Sequence, residues 1–178
     1  MRLLNVQDSN QGFTLIEGLV VIVIIGIVSA IAAPSLFSMV NRSKINSAQA
    51  EVQGVLQEAQ RQSIRSSRSC NVTLSANTIT GNCLTTGNLT LDQVSLRSAS
   101  NNAAISSFWF NHKGELFIND PLGTAPQRFT APITFVISAS SSTVQKCLVF
   151  SAPLGLLRSG TYTGATSTTT ETSCMTQL

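Results

Sequence analysis

The feature that most constrains this chain is a run of 24 residues, Gly18 to Asn41, without one charged side chain. Its middle, Leu19 to Ile31 (LVVIVIIGIVSAI), is almost wholly apolar. As a helix the run would measure about 36 Å, enough to cross a hydrocarbon layer of about 30 Å. Arg42 and Lys44 then mark an exit into a polar environment. A core helix of a soluble domain keeps a polar face, and this stretch has none. It reads as a membrane span.

Three versions of that reading are open. A cleaved secretory signal has an A-x-A site at Ala30-Ile31-Ala32, but Asp8 and Glu17 fall where a basic region belongs. A plain signal anchor accounts for the length and leaves Glu17, at the edge of the apolar block, without a reason. In the third, a short hydrophilic leader is removed and the apolar helix is kept. The residues Gly12-Phe13-Thr14-Leu15-Ile16-Glu17 decide for the third. From Gly12 to Pro34 the sequence GFTLIEGLVVIVIIGIVSAIAAP resembles the class III signal of type IV pilins and type II secretion pseudopilins. The resemblance implies cleavage after Gly12 by a prepilin peptidase, N-methylation of Phe13, and Glu17 as the fifth residue of the mature chain. The leader MRLLNVQDSNQG departs from the family in carrying Arg2 and Asp8, with no net side-chain charge.

Glu17 can also be read from its chemistry alone. A lone carboxylate entering an apolar helix is costly in lipid or in a packed bundle unless it finds a partner. The positive end of its own helix helps. An amine at a neighbouring subunit's new N-terminus would neutralise it and set the axial register between subunits.

Beyond Pro34 the periodicity stays helical. Ile45, Ala48, Val52, Val55, Leu56 and Ala59 form an apolar stripe on an otherwise polar helix, expected to pack on the C-terminal part of the chain. One helix from about Phe13 to Ser66 would run about 80 Å, with Gly26 and Pro34 as places to bend. Arg61, Arg65 and Arg68 close it, where cations suit the helix dipole.

After Arg68 the pattern alternates. Strands are expected at Cys70–Leu74, Thr78–Gly81, Val94–Arg97, Phe108–Asn111, Glu115–Ile118, Ile133–Ser138 and Gln145–Ser151. Turns are expected at Thr85–Asn88, Ser98–Asn102, Asn119–Pro126 and Ala139–Ser142, with a hairpin turning at His112-Lys113-Gly114. Ser159 to Ser173, rich in Thr, Ser and Gly, reads as an exposed loop. The fold class is α+β, a long helix packed on an antiparallel β-domain. Its segments are a leader at 1–12, a membrane-spanning half at 13–36, an amphipathic half at 37–68, and a β-rich domain at 69–178.

The order QEAQRQSIRSSRS, FWFNHKGELF and QKCLVFSAPLGLLRSGTY resembles the GspH/FimT branch of minor pilins and pseudopilins. That branch implies a pilus subunit, a pseudopilin of a type II secretion system, or a DNA-binding pilin for natural transformation. Some DNA-uptake pilins of the branch carry Gly-Arg-x-Arg near the C-terminus. Here Gly155-Leu156-Leu157-Arg158 keeps the Gly and the last Arg only. The implied partners are other pilins through the N-terminal helix, prepilin peptidase and an inner-membrane assembly platform. The implied location is the inner membrane, single-pass, with the globular domain outside the cytoplasm, and then the pilus or pseudopilus.

Composition narrows the chemistry. A net charge of +3 supports little counterion release, so a strongly basic nucleic-acid binder is excluded as the default. Arg61, Arg65, Arg68 and Arg158 are nevertheless the candidate contacts to a DNA backbone, with Lys113 beside them. One His and eight carboxylates leave little for acid–base catalysis, no nucleophile elbow or phosphate loop is present, and no enzyme or cofactor is expected. His112 reads as a solvent-facing turn residue. Four cysteines in an exported chain favour disulfides over zinc, since there is no C-x-x-C pair. Of three connectivities, sequence neighbours suggest Cys70–Cys83, closing a hairpin, and Cys147–Cys174, stapling the tail to a strand.

Overall fold

A single helix, α1 (Leu15–Ser66), 52 residues long, opens the structure and continues through Gly26 and Pro34. The computed structural model describes residues 12–100, 103–119, 126–128, 131–140, 142–151, 155–165 and 169–176. The leader before Gly12, and parts of the turns expected at 98–102, 119–126 and 139–142, lie outside the described residues. The chain forms two compact units, Met1–Met39 and Val40–Leu178.

In the first unit the helix is apolar on every side, and its most apolar 18-residue window has no buried residue. The second unit is a two-sheet domain with the rest of α1 packed on it. After the helix come β1 (Cys70–Leu74), β2 (Thr78–Gly81), β3 (Leu89–Thr90), β4 (Ser95–Ser100), β5 (Ala103–Ala104), β6 (Ser107–Phe110), β7 (Leu116–Asn119), β8 (Pro126–Arg128), β9 (Ile133–Ser138), β10 (Gln145–Ser151), β11 (Leu156–Tyr162) and β12 (Cys174–Thr176). One sheet has the order β3-β2-β1-β6-β7-β8 and the other β12-β11-β10-β9-β4-β5, every pairing antiparallel.

The stripe read from the sequence is the helix's buried face: Ile45, Ala48, Val52, Val55, Leu56 and Ala59 all enter the main core, with Ser63 buried at its end. The first sheet contributes Val72, Ile79, Phe108 and Phe110, and the second Ile133, Phe135, Leu148 and Phe150. Rings tie the sheets together. Phe108 meets Phe110 edge-on at 5.6 Å and Phe135 at 6.0 Å, and Phe110 meets Phe150 at 5.5 Å. In β1 the burial alternates strictly, as the sequence predicts for a strand with one wet face. β9 is buried on both faces, because Val136 joins Cys147 and Tyr162 in a second, smaller cluster on the far side of its sheet.

The end of α1 is held by local geometry and by both sheets. Ser67 takes a φ of 53°, Ser67 N–H donates to Ile64 O and Arg68 N–H to Ser63 O, each at 3.3 Å. This is a Schellman cap with a serine where glycine is usual. Gly114, in the β6–β7 turn, and Gly155, before β11, both have positive φ. A Cβ on Gly114 would lie 2.7 Å from Ile64 Cδ1, and one on Gly155 2.4 Å from Gln60 Nε2. Gln60 Nε2 donates to Gly114 O at 3.1 Å. A turn from each sheet therefore meets one turn of the helix, and only glycine fits at either tip.

Two expectations are corrected. The turn placed from Ser98 begins later, because β4 runs on to Ser100 and pairs Ala99 with Ala104 of β5. The exposed loop placed over Ser159–Ser173 is in part a strand. Its first four residues belong to β11, which pairs with β10 over seven residues, and Tyr162 is buried. Thr170 N–H donates to the Tyr162 hydroxyl at 3.0 Å, and Thr163 N–H to Ser173 O at 2.9 Å. The Gly-, Ser- and Thr-rich composition hides this strand, because pairing on both sides supplies what its side chains lack. β3, β5, β8 and β12 leave no pattern in the sequence either, being ladders of two or three residues.

Candidate functional site

The N-terminal residues come first. Gly12, Phe13 and Thr14 precede the helix, and Thr14 O accepts the first-turn N–H groups of Glu17 (3.1 Å) and Gly18 (3.2 Å). Glu17 therefore sits in the first turn, where the unpaired N–H groups of a helix favour negative charge. Phe13 is 83% exposed, and the Glu17 carboxylate has no partner among the described residues. From Leu15 to Val40 the large apolar side chains stand in the open. At about 25 cal/mol per Å² that surface is strongly unfavourable in water. It needs lipid or other helices around it.

The basic residues divide. Arg61 and Arg65 line an open depression of about 780 Å³ with Glu51, Val55, Glu58, Thr85, Thr86 and Leu89. Arg68 lies just past the helix cap. Arg158 is exposed in mid-β11, paired with Val149, on the face opposite Leu148 and Phe150. No described contact joins it to the helix arginines. Lys113 and His112 are exposed on the β6–β7 turn, where Asn111 Oδ1 accepts the N–H of Lys113 and of Glu115, each at 2.9 Å.

Glu58, which no sequence motif marks, organises this depression. Its carboxylate accepts the Thr85 and Thr86 hydroxyls and both their backbone N–H groups. The Thr85 hydroxyl, with the other three donors and against the opposing effect of burial, holds its pKa down to about 2 from an ordinary 4.5. A depressed carboxylate pKa contributes stability that is complete above the unfolded value and lost as pH falls toward the folded one. Glu58→Gln should melt lower than the parent at pH 7. The gap should narrow from about pH 4.5 and close near pH 2, read by thermal denaturation across that range. A constant gap would contradict this role.

Both disulfides are formed, Cys70–Cys83 with Cα atoms 5.5 Å apart and Cys147–Cys174 with 5.9 Å. The first fixes the start of the loop that Glu58 grips. Among the described residues no cluster of three His, Cys, Asp or Glu side chains could hold a metal.

Comparison with known proteins finds a sequence match at the N-terminal end. Residues 8–33 match the family model of the prokaryotic N-terminal methylation motif. The matched stretch includes Gly12, Phe13 and Glu17. Among curated protein sequences, none matches it. Among solved structures it is similar to the type IV minor pilin FimU of Pseudomonas aeruginosa strain PAO1 in two crystal forms. In space group P65 the identity is 16% and the TM-score 0.47, over 64% of this chain and 90% of that one. In space group P21 the values are 16% and 0.46, over 66% and 88%.

Proposed function

We propose that this chain is a minor type IV pilin, a structural or priming subunit of a filament rather than an enzyme. The observation that carries the reading is the methylation motif over residues 8–33. It ends inside an apolar helix whose side chains nothing in the unit covers. In this reading prepilin peptidase cuts after Gly12, and the new Phe13 amine is methylated. The helix from Phe13 to about residue 36 crosses the inner membrane once, and the domain from 69 onward lies outside the cytoplasm, with 37–68 as its supporting helix. On assembly the apolar half moves from lipid into a bundle of like helices. A Glu17 carboxylate then pairs with a neighbour's Phe13 amine, so charge neutralisation and axial register come from one contact. The partners are other pilins, the peptidase and the membrane assembly platform.

Charge argues against DNA capture by the helix end. Arg61 and Arg65 share their depression with Glu51 and Glu58, and Arg158 stands on the outer face of the other sheet.

Glu17→Gln keeps the size and removes the charge. It should leave membrane insertion and cleavage intact and lower the amount of chain in sheared filaments by about tenfold or more, as a lost pairing worth about 1.4 kcal/mol or above requires. Immunoblots of membrane and filament fractions read both. Deleting the chain separates machines: lost pili support a pilin, whereas lost protein secretion with intact pili would make it a pseudopilin. Normal incorporation of the Gln variant would contradict the pairing.

A further inference from the structure

Arg97 stands opposite Val136 in the β4–β9 ladder, and Val136 opposite Cys147 in the next. It therefore shares the far face of its sheet with the small cluster of Val136, Cys147 and Tyr162, while its neighbour Leu96 enters the main core. Arg97 Nη2 donates to Gln145 Oε1 at 2.9 Å, and Gln145 is itself buried. Arg97 Nη1 is closed to solvent and has no hydrogen-bond partner. Among the described residues no carboxylate pairs with this guanidinium. A buried donor without an acceptor costs free energy, and more so on a charged group, so packing alone does not explain an arginine here.

The same residue lines an open cavity of about 760 Å³, bounded by the end of β1, the β4–β5 ladder and residues 169–170. The backbone around it is already bonded. Leu74 N–H donates to Ser106 O at 2.7 Å, Leu96 N–H to Ala76 O at 2.6 Å, and Thr170 N–H to the Tyr162 hydroxyl at 3.0 Å. The cavity is therefore preformed. Leu74, Leu96 and Ile105 give it an apolar side, and Ser106 and Thr169 add hydroxyls. Among the described residues that line it, Arg97 alone is charged. A preformed, partly apolar hollow of this size with one cation in its wall has the build of a small-molecule site.

We propose that this cavity binds a small organic monocarboxylate, with Arg97 as the anion-binding residue. The planar guanidinium fork matches both oxygens of a carboxylate, and a small turn of the side chain brings the unpaired Nη1 to them. The Ser106 and Thr169 hydroxyls supply further donors. An aliphatic chain of about four or five carbons lies against Leu74, Leu96 and Ile105. Charge decides against phosphate. One guanidinium neutralises one negative charge, and a dianion would keep an unpaired charge beside an apolar wall. A free short-chain acid and the acidic side chain of a peptide present this same group.

The test melts the full chain, in a nonionic detergent, against rising sodium valerate and against rising N-acetylglutamic acid α-amide. Sodium chloride at matched ionic strength is the blank. A ligand that binds only the folded chain raises Tm with its concentration. The expected result is such a rise with at least one of the two carboxylates, at millimolar concentration, and the stronger one tells free acid from peptide side chain. Arg97→Met removes the charge, whereas Ala104→Tyr, at an exposed position on the rim, fills the cavity and keeps the guanidinium. Each variant, with an unaltered circular dichroism spectrum, should weaken binding about tenfold or more. No rise above the chloride blank with either carboxylate would overturn the site, as would a rise that both variants keep or that pentanol reproduces. A larger rise with inorganic phosphate, lost in Arg97→Met, would overturn the carboxylate assignment.

Discussion

Phe108→Ala is expected to cost about 3–5 kcal/mol, a large part of the stability of a domain this size. Phe108 is fully buried where the two sheets and the helix converge. Its ring meets Phe110 in its own sheet at 5.6 Å and Phe135 in the other at 6.0 Å. Truncation removes its transfer free energy, opens a cavity between rigid layers, and cancels two edge-type contacts of about 0.5–1.5 kcal/mol each. Trp109→Ala, one residue on and facing outward, is the control and should cost about 1 kcal/mol. Urea unfolding of both variants checks this. Equal costs would mean that the two sheets do not share a core.

Removing Cys147–Cys174 as a double alanine variant should lower stability by about 3.5 kcal/mol, and removing Cys70–Cys83 by about 3 kcal/mol. The difference follows from loop length, since the bridged residues are 27 and 13 positions apart. Alanine is the right replacement because Cys147 is fully buried, and serine would leave a hydroxyl there to satisfy. The Cys147–Cys174 bridge also holds β12, a three-residue edge strand, against β11. Melting curves of the two variants, beside the parent with and without reductant, give both values. A parent indifferent to reductant would contradict them.

Much of this was legible in the sequence, for identifiable reasons. An unbroken apolar run and a helical stripe are long-range patterns, so α1 and its buried face were readable nearly to the residue. β1, β2, β9 and β10 lie at the bounds the sequence predicts, because β-branched and apolar residues there are framed by polar turns. β11 was not readable: Arg158, Ser159, Gly160 and Thr161 carry no alternation, and neighbouring strands hold them in place. Gly160 shows the cause, since a Cβ there would lie 2.2 Å from Met175 O, so the close approach of β12 excludes side chains. The N-terminal methylation motif over residues 8–33 was legible as a local pattern. The grip of Glu58 on Thr85 and Thr86 was not, because it joins residues 27 and 28 positions apart through a loop whose path only the fold determines.

The central claim is that the chain matures at Gly12 and keeps its apolar helix. Mass spectrometry of the intact protein and of its N-terminal peptide, taken from the membrane of the native host, tests this most directly. The account predicts a chain beginning at Phe13, with a methyl group on its α-amine. A chain still beginning at Met1, or one cut after Ala32 and so lacking both Glu17 and the apolar helix, would contradict it.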